Sequence, residues 1–121
     1  MDIEQARFNM VEQQIRTWEV LDQEVLDLLF AIKRERFVPE KWRGLACADM
    51  EIRLGQGQTM WTPKLEARCL QEIGLKKTDT VLEVGTGSGY FCALLAARAQ
   101  HVYSVEIFPE LAKKVAQTLK T

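Results

Sequence analysis

Apolar residues recur every three or four positions at the start of the chain, which predicts an amphipathic helix over residues 3–17. The members of its apolar stripe are Phe8, Val11, Ile15 and Trp18. Asp22 is a suitable N-terminal cap for a second helix. The apolar face of that helix consists of Val25, Leu29 and Ile32, with Leu26 and Phe30 beside it. The segment Phe37-Val38-Pro39 ends the helical region, because a residue before proline is pushed out of the helical conformation.

The middle of the chain, residues 40–60, shows no sustained period. It contains one short predicted strand at residues 51–54, followed by a flexible loop at residues 55–58. A third helix is predicted from Thr62-Pro63, its cap and first residue, to Gly74, which lies just past its end. The buried stripe predicted for this helix is Leu65, Cys69, Leu70 and Ile73.

Strands and helices alternate in the second half of the chain. Two strands are predicted at residues 80–84 and 101–107, with a helix between them and a final helix that starts at Pro109. The residues predicted to lie inside these helices are Phe91, Leu94, Leu95 and Ala97 in the first, and Leu111, Val115 and Leu119 in the second. A strand–helix–strand crossover makes its two strands parallel. The order of elements therefore predicts an α/β fold with a parallel sheet.

Two parallel strands are few for a stable sheet, because parallel sheets are normally buried on both faces. The apolar strand at residues 80–84 should have a neighbour on each side, and only one neighbour is encoded. We therefore expect the chain to be truncated, or to be the N-terminal half of a longer protein. We also expect a second copy to cover the exposed sheet edge, through a homodimer or an exchange of elements.

Composition and charge exclude several classes of protein. The chain has 16 Lys plus Arg and 17 Asp plus Glu without a basic block, so the electrostatic footprint of a nucleic-acid-binding protein is absent. No apolar run approaches the roughly 20 residues that span a membrane. Cys47, Cys69 and Cys92 are odd in number and no signal peptide precedes them, which predicts reduced, packed thiols in a cytoplasmic protein. They lack metal-site spacing and His101 is the only histidine, so we expect no metal.

The candidate chemistry lies between the two strands, in a loop with glycine at every second position. The loop covers residues 85–89 and follows Glu83. Glycines let a backbone approach a ligand closely, and the next helix N-terminus offers free N–H donors. The third glycine comes one residue earlier than in the dinucleotide fingerprint, where Tyr90 now stands. Glu106 lies 21 positions after Gly85, a distance typical of a carboxylate that binds ribose hydroxyls.

This loop resembles motif I of the class I S-adenosylmethionine-dependent methyltransferases. More narrowly, the chain resembles the protein-L-isoaspartate (D-aspartate) O-methyltransferases. The matching segments are Met10-Val11-Glu12-Gln13-Gln14-Ile15, Val25-Leu26, Arg36-Phe37-Val38-Pro39, Ala48-Asp49, Gly55-Gln56-Gly57-Gln58-Thr59 and Pro63. The resemblance covers almost the whole chain but only about the first half of a typical member. It implies an incomplete Rossmann-like fold, with residues 1–60 as the N-terminal helical and loop region and residues 61–121 as the first part of the cofactor-binding domain.

The resemblance also implies an activity, which is protein repair. The family transfers a methyl group from S-adenosylmethionine to the carboxylate of an L-isoaspartyl or D-aspartyl residue in a damaged protein, leaving S-adenosylhomocysteine. The ester closes to a succinimide, which can reopen as aspartate. A carboxylate is already ionised at neutral pH, so the transfer requires no strong base and depends mainly on alignment of donor and acceptor. The 121-residue chain alone is expected to have little or no activity.

By resemblance, the cofactor would be bound by Gln58, Glu83, Val84, Gly85, Thr86, Gly87, Gly89, Glu106 and Ile107. The segment Gly85-Thr86-Gly87 would contact its methionine end. Glu83 would support that loop and the amino group, and Glu106 would bind the ribose hydroxyls. Gln58 and Thr59 would lie on a loop that covers the site and meets the peptide.

One departure from the family concerns the acceptor side. Trp61 stands where the family usually has a serine implicated in activity, so the catalytic candidates are Thr59, Thr62 and the position of Trp61. An indole cannot replace a hydroxyl donor, although the neighbouring Thr62 could. The plainer interpretation of Trp61 is a hydrophobic lid or packing residue. Lys64 stands where relatives often have histidine, and could pair with a substrate carboxylate.

Three other functions stay open beside isoaspartyl repair. A related methyltransferase with a different acceptor would also account for Trp61 and Lys64. A non-catalytic binding module would keep the fold without the reaction. An NAD-dependent enzyme is disfavoured by Tyr90 in the fingerprint position.

Overall fold

The computed structural model describes residues 2–120; Met1 and Thr121, the outer ends of the two predicted regions, lie outside the described residues. The α-helices are α1 (Ile3–Met10), α2 (Gln23–Ala31), α3 (Pro63–Ile73), α4 (Tyr90–Arg98) and α5 (Pro109–Lys120). The strands are β1 (Ile52–Gly55), β2 (Gln58–Met60), β3 (Thr80–Val84) and β4 (His101–Val105). The order from β3 to α5 confirms the predicted alternation of strands and helices.

The predicted helix over residues 3–17 is confirmed as helical, but it is not one regular α-helix. The helix α1 ends at Met10, and a π-helical turn follows at Val11–Ile15. A 3₁₀ turn at Arg16–Trp18 then ends with Glu19 in the left-handed conformation, at a φ of 65°. Because a π turn spans one more residue per hydrogen bond than an α turn, it shifts the phase of every side chain after it.

The apolar stripe of this first segment is confirmed only in part. Val11 and Ile15 are buried, but Phe8 and Trp18 are 50% and 42% exposed. Phe8 points outward because its neighbour Arg7 points inward. The Arg7 guanidinium donates a hydrogen bond of 2.7 Å to the Glu35 carboxylate. A charged residue therefore occupies the inward face that the apolar pattern assigned to a phenylalanine.

The second helix is capped as predicted but ends earlier. Asp22 accepts a hydrogen bond of 2.9 Å from the Glu24 backbone, which confirms the N-terminal cap. Val25 and Leu29 are buried, whereas Ile32 lies just past the helix. A separate 3₁₀ turn at Arg34–Phe37 then leads to Pro39. A second 3₁₀ turn, at Glu40–Leu45, follows it.

Residues 52–60 form an antiparallel hairpin in which Ile52 pairs with Met60 and Arg53 pairs with Thr59. The predicted strand at residues 51–54 is thus confirmed with a shift of one residue. The predicted loop at residues 55–58 is confirmed only in part: Gln56 and Gly57 form the hairpin turn, whereas Gly55 ends β1 and Gln58 starts β2. The missed strand β2 has three residues, too few for an alternating pattern to be detected in the sequence.

The structure confirms the predicted ends of α3 but only part of its predicted buried face. Thr62 is the N-terminal cap residue, although its side chain makes no capping bond, and Gly74 ends the helix with a φ of 65°. Leu65 and Ile73, expected inside, are 39% and 49% exposed. Cys69 is half-buried and Leu70 is buried. The residues that face the core are Pro63, Glu66, Ala67 and Leu70. The helix is rotated so that the carboxylate of Glu66 reaches a buried arginine.

The strands β3 and β4 pair in parallel, as predicted, with Val81 opposite Val102. The second strand ends at Val105 rather than at residue 107. Val81 and Val102 pack against the core, which lies on the side of the N-terminal segments and α4. The other face of the sheet is bare: its large apolar side chains are 49% to 79% exposed, and they are Leu82, Val84, Tyr103 and Val105.

Two residues of the last helices face outward against expectation. Ala97 in α4 is exposed, and Leu119 in α5 is 45% exposed; each lies near the end of its helix. The remaining predicted positions, Leu94, Leu95 and Leu111, are buried. Val115 is also buried, and Phe91 is half-buried. Within residues 2–120, no helix has the length and apolar character that crossing a membrane requires.

We predict that Gly89→Ala destabilises the fold by about 2–4 kcal/mol. Gly89 has a φ of 89°, and an added Cβ would lie 2.6 Å from Cγ1 of Val115. The substitution therefore combines a strained backbone with an overpacked contact between α4 and α5. Gly44→Ala is the matched control, since a Cβ there meets nothing within 4 Å. Urea unfolding of both variants tests the prediction, which fails if the two midpoints are equal.

Candidate functional site

The glycine loop, residues 85–89, connects the end of β3 to the start of α4. Its three glycines have positive φ values of 95°, 58° and 89°, a region that glycine enters without strain. The Gly85 N–H donates to the Val105 carbonyl at 2.8 Å, and the Gly89 N–H donates to the Thr86 carbonyl at 3.0 Å. These bonds hold the loop at the carboxyl edge of the parallel sheet, where open α/β folds bind ligands.

A chain of three hydrogen-bonding side chains lies beneath this loop. Ser104 Oγ donates to Glu83 Oε1 at 2.6 Å, and it lies 2.6 Å from Thr86 Oγ1. Because the single Ser104 proton goes to the carboxylate, the Thr86 hydroxyl donates to Ser104. Burial raises the pKa of Glu83, the hydrogen bond from Ser104 opposes this rise, and the charge of Glu106 adds to it. The network fixes the orientation of the Glu83 carboxylate.

The second acidic residue, Glu106, lies just past the end of β4 and faces the loop. Its Oε1 accepts a hydrogen bond of 2.8 Å from the Gly87 N–H, and its Oε2 accepts one of 3.2 Å from the Phe108 N–H. The carboxylate is half-buried and held between the loop and the start of α5. A ligand in the loop would therefore meet an oriented carboxylate at this position.

Two clefts that share part of their lining open at the loop, with volumes of about 680 Å³ and 180 Å³. The predicted residues on the larger cleft are Gln58, Thr59, Trp61, Val84, Gly85, Gly87, Glu106 and Ile107. Glu83 and Thr86 line the smaller cleft, together with Thr59 and Trp61. The structure thus brings most predicted site residues around one opening, between the hairpin and the end of the sheet.

Two predicted residues lie outside these linings. Thr62 is the cap residue of α3, so its backbone is committed to the start of that helix. Gly89 is buried, and its Cα faces the side chain of Val115 in α5. The roles predicted for both residues stay predictions.

Trp61 lies at the rim of the clefts. Its side chain points outward, and its backbone is held by a buried arginine. The residue is 45% exposed, and its ring is tilted against Phe91 with the two ring centroids 5.7 Å apart. Its carbonyl accepts a hydrogen bond of 2.8 Å from Arg34 Nη2. The position in which the family has a serine therefore presents an aromatic surface to the opening.

Arg34 is fully buried and joins segments that are distant in sequence. Its Nε and Nη2 donate to Glu66 Oε1 at 3.1 Å and 2.9 Å, and its Nη1 donates to the Ala46 carbonyl. Burial raises the pKa of Glu66 to about 7, with the Arg34 charge opposing the rise and the Glu83 charge adding to it. The pair holds the segment that carries Trp61 against the first turn of α3.

Lys64 is engaged away from the clefts. Its Nζ lies 3.4 Å from Asp49 Oδ2 and 4.8 Å from the centre of the Trp18 ring. The predicted pairing of Lys64 with a substrate carboxylate stays a prediction, and it would require this lysine to leave both partners.

Sequence reasoning missed the side chains that support the site from below. Ser104 occupies a covered position of β4, two residues after the covered Val102, and a hydroxyl there was a detectable signal for a buried polar contact. Glu66 lies on the same face of α3 as Pro63, Ala67 and Leu70, and that placement was also detectable. In the part of the chain that the structure describes, no group of three or more His, Cys, Asp or Glu is placed to hold a metal ion.

A parallel sheet, a glycine loop and an acid after the next strand define a Rossmann-like ligand-binding unit. The model of the protein-L-isoaspartate(D-aspartate) O-methyltransferase family matches residues 5–121, and the chain belongs to this family. It is 43% identical over 116 residues to protein-L-isoaspartate O-methyltransferase 2 of Anaeromyxobacter sp., covering 96% of this chain and 48% of that protein. It is 42% identical to protein-L-isoaspartate O-methyltransferase of Opitutus terrae, covering 97% of this chain and 52% of that protein.

A solved structure agrees with the fold. A Plasmodium falciparum protein described as a candidate protein-L-isoaspartate O-methyltransferase, in complex with S-adenosyl-L-homocysteine, superposes with a TM-score of 0.79 at 20% identity. The match covers 93% of this chain and 54% of that chain. The likeness confirms the Rossmann-like methyltransferase fold. The chain spans about half the length of the curated relatives it matches.

We expect Arg34→Ala to destabilise the fold by about 3–5 kcal/mol, because it leaves a buried carboxylate and the carbonyls of Ala46 and Trp61 without their donor. Arg68→Ala is the control. Arg68 pairs with Glu72 and donates an exposed hydrogen bond to the Trp18 carbonyl, and its side chain is 40% exposed, so its loss should cost about 0–1 kcal/mol. Guanidinium unfolding measures both changes. Equal losses in the two variants would show that the buried pair has no special role.

Proposed function

We propose that this chain forms the methyl-donor-binding part of an S-adenosylmethionine-dependent methyltransferase. Its acceptor is the carboxylate of an L-isoaspartyl or D-aspartyl residue in a damaged protein, and its role is protein repair. The observation that carries the proposal is the convergence of Glu83, the glycine loop and Glu106 on one opening, in a chain that belongs to this family.

The geometry of the opening supports S-adenosylmethionine as the cofactor. A Cβ built at Gly85 would meet nothing within 4 Å, so the loop backbone is open to a close ligand. Glu106 offers a carboxylate to ribose hydroxyls, and Glu83 offers one to the amino group. When bound, the cofactor supplies a methyl group on a positively charged sulfur.

The acceptor side consists of the hairpin and the residues after it. The exposed Thr59 offers a hydroxyl to a peptide carboxylate at the cleft, while the Trp61 indole shields the opening from water. Thr62 is the further hydroxyl proposed for this side. The carboxylate acceptor is ionised at neutral pH, so these residues have to orient it rather than remove a proton.

The length of the relatives supports a further part of the proposal. Because the chain spans about half of each curated relative, we infer that the remaining contacts to the adenine and the peptide come from a region these 121 residues do not supply. The chain alone would then bind the donor weakly and transfer little or no methyl group.

A second candidate function is favoured by one observation, the indole of Trp61 at the acceptor side of the cleft. A methyltransferase of the same fold with an apolar or aromatic acceptor would place such a ring beside its substrate. A binding module without catalysis would also keep the loop. Activity with the isoaspartyl peptide separates the first function from both.

The bare face and edge of the β3–β4 sheet support a proposal on assembly. We infer that a second copy of the chain covers this surface in the absence of another polypeptide. The two copies would dimerise or exchange elements. Leu82 and Tyr103 lie side by side there and are 64% and 59% exposed. Exposed apolar surfaces of this kind promote association.

We further propose a cytoplasmic location. The three cysteines are unpaired, and Cys47 and Cys92 are buried, where burial raises the pKa of each thiol. Thiols in this state suit a reducing compartment.

The activity is tested with a chimera that joins residues 1–121 to the part of the Anaeromyxobacter protein beyond its match to this chain. We expect the chimera to release methanol from an isoaspartyl peptide after methylation, at least tenfold faster than from the matching aspartyl peptide, and residues 1–121 alone to release almost none. Circular dichroism confirms that the chimera is folded. A folded chimera that binds S-adenosylhomocysteine but methylates neither peptide would favour another acceptor, and turnover by the chain alone would contradict the proposed need for the second region.

Self-association is tested by multi-angle light scattering over a range of concentrations. We expect the wild-type chain to form dimers or larger species, and Leu82→Glu to shift it towards the monomer, because a charge on the bare face opposes its burial. Ala116→Glu adds the same charge at an exposed position of α5 and should leave the mass unchanged. A wild-type chain that stays monomeric at high concentration would rule this assembly out.

A further inference from the structure

Two carboxylates line the smaller cleft beside the glycine loop, and Arg34, which pairs with one of them, is not among its lining residues. Glu66 and Glu83 both line it, and Glu106 lines the larger cleft, which shares Gly85 and Trp61 with the smaller one. Among the described residues, neither lining includes a lysine or an arginine. Carboxylates in a partly enclosed cleft concentrate their field at its opening and attract cations.

Glu66 is the least exposed of these three carboxylates, at 3%. Arg34 binds it on one side only, because its Nε and Nη2 both donate to Oε1. The other oxygen, Oε2, accepts no hydrogen bond from any residue between 2 and 120. The guanidinium thus holds Glu66 in place and leaves one oxygen for whatever enters the cleft.

Aromatic side chains line the same cleft as Glu66. They are Trp61 and Phe91, and their ring centroids lie 5.7 Å apart. The faces of aromatic rings attract cations, and the attraction is stronger where water is excluded. Carboxylates and aromatic rings together favour a positively charged group over a neutral one of the same shape.

We propose that Glu66 is a specificity-determining residue that makes the cleft prefer the cationic methyl donor over its neutral product. The inference rests on the proposed function. In the transfer, the bond from the methyl carbon to sulfur breaks, a bond from that carbon to the acceptor oxygen forms, and the electron pair stays on sulfur. The sulfonium thereby becomes a neutral thioether, so the site loses its electrostatic attraction to the ligand when the reaction is complete.

The ionisation of Glu66 can be measured as proton release on ligand binding. A purely structural role of Glu66 would not affect this release. The groups that face it are Arg34 from the 3₁₀ turn, Glu83 from β3 and Tyr90 from α4. Burial holds the pKa of the Tyr90 hydroxyl well above its ordinary value, so Tyr90 stays neutral. With its pKa raised to about 7, Glu66 holds a proton part of the time at neutral pH. A cation in the cleft favours the ionised form, so its binding should release that proton.

The experiment compares two ligands of similar shape by calorimetry at pH 7 on the folded chimera, which supplies the region that these 121 residues lack. Sinefungin carries an ammonium in place of the sulfonium, and S-adenosylhomocysteine carries a neutral sulfur. Titrations in two buffers of different ionisation enthalpy count the protons released. Glu66→Gln removes the charge and keeps the shape. Glu72→Gln, whose side chain is 61% exposed on the same helix, removes an equal charge away from the cleft.

We expect Glu66→Gln to weaken sinefungin binding about tenfold, to leave S-adenosylhomocysteine binding within about twofold, and to abolish the extra proton release with sinefungin. Glu72→Gln should match the wild type. Equal weakening of both ligands by Glu66→Gln would overturn the inference and leave the donor site standing. If the chimera without substitutions bound neither ligand, the proposed function would fail together with the inference.

The chimera without substitutions decides the matter by itself if Glu66→Gln does not fold. The inference requires the chimera without substitutions to release more protons on binding sinefungin than on binding S-adenosylhomocysteine. Equal release with the two ligands overturns it without any variant.

Discussion

The buried guanidinium of Arg34 is the contact on which the arrangement around the glycine loop depends. It donates to the Glu66 carboxylate and to the carbonyls of Ala46 and Trp61, which belong to three different segments. A buried charge that lost these acceptors would be strongly unfavourable, so the three segments have to meet at this point. The packing of the hairpin, the rotation of α3 and the outward position of the Trp61 ring all follow from that meeting.

The sheet provides the opposite wall of the site by a different means. There the backbone of the loop is held by hydrogen bonds to the end of β4, while Ser104 orients Glu83 from below. One wall is thus fixed by a single ionic cluster, and the other by the regular ladder of two parallel strands. The clefts open between these two walls. Their lining therefore combines side chains from residues 58–61 with side chains from residues 83–106.

Features with a local cause could be predicted from the sequence. The glycine loop, the cap at Thr62 and the end at Gly74 depend on backbone preferences of single residues, and the structure has them where expected. The pairing of Arg34 with Glu66 joins charges 32 positions apart and has no local signal. The same holds for the three-residue strand β2, whose order depends on its partner strand. Features that depend on single residues could therefore be predicted from the sequence, whereas contacts between distant segments could not.

The double role of Glu106 has a consequence for how the loop and a ligand influence each other. The same carboxylate that would meet a ribose also accepts the Gly87 N–H and the Phe108 N–H. A ligand that engages it acts on the geometry of the loop and on the start of α5 together. By thermodynamic reciprocity, any change that stiffens this corner of the chain alters ligand affinity by the same free energy with which the ligand stiffens the corner. The stiffness of the glycine loop and the affinity of this site for its ligand are therefore coupled, and a substitution that changes one changes the other.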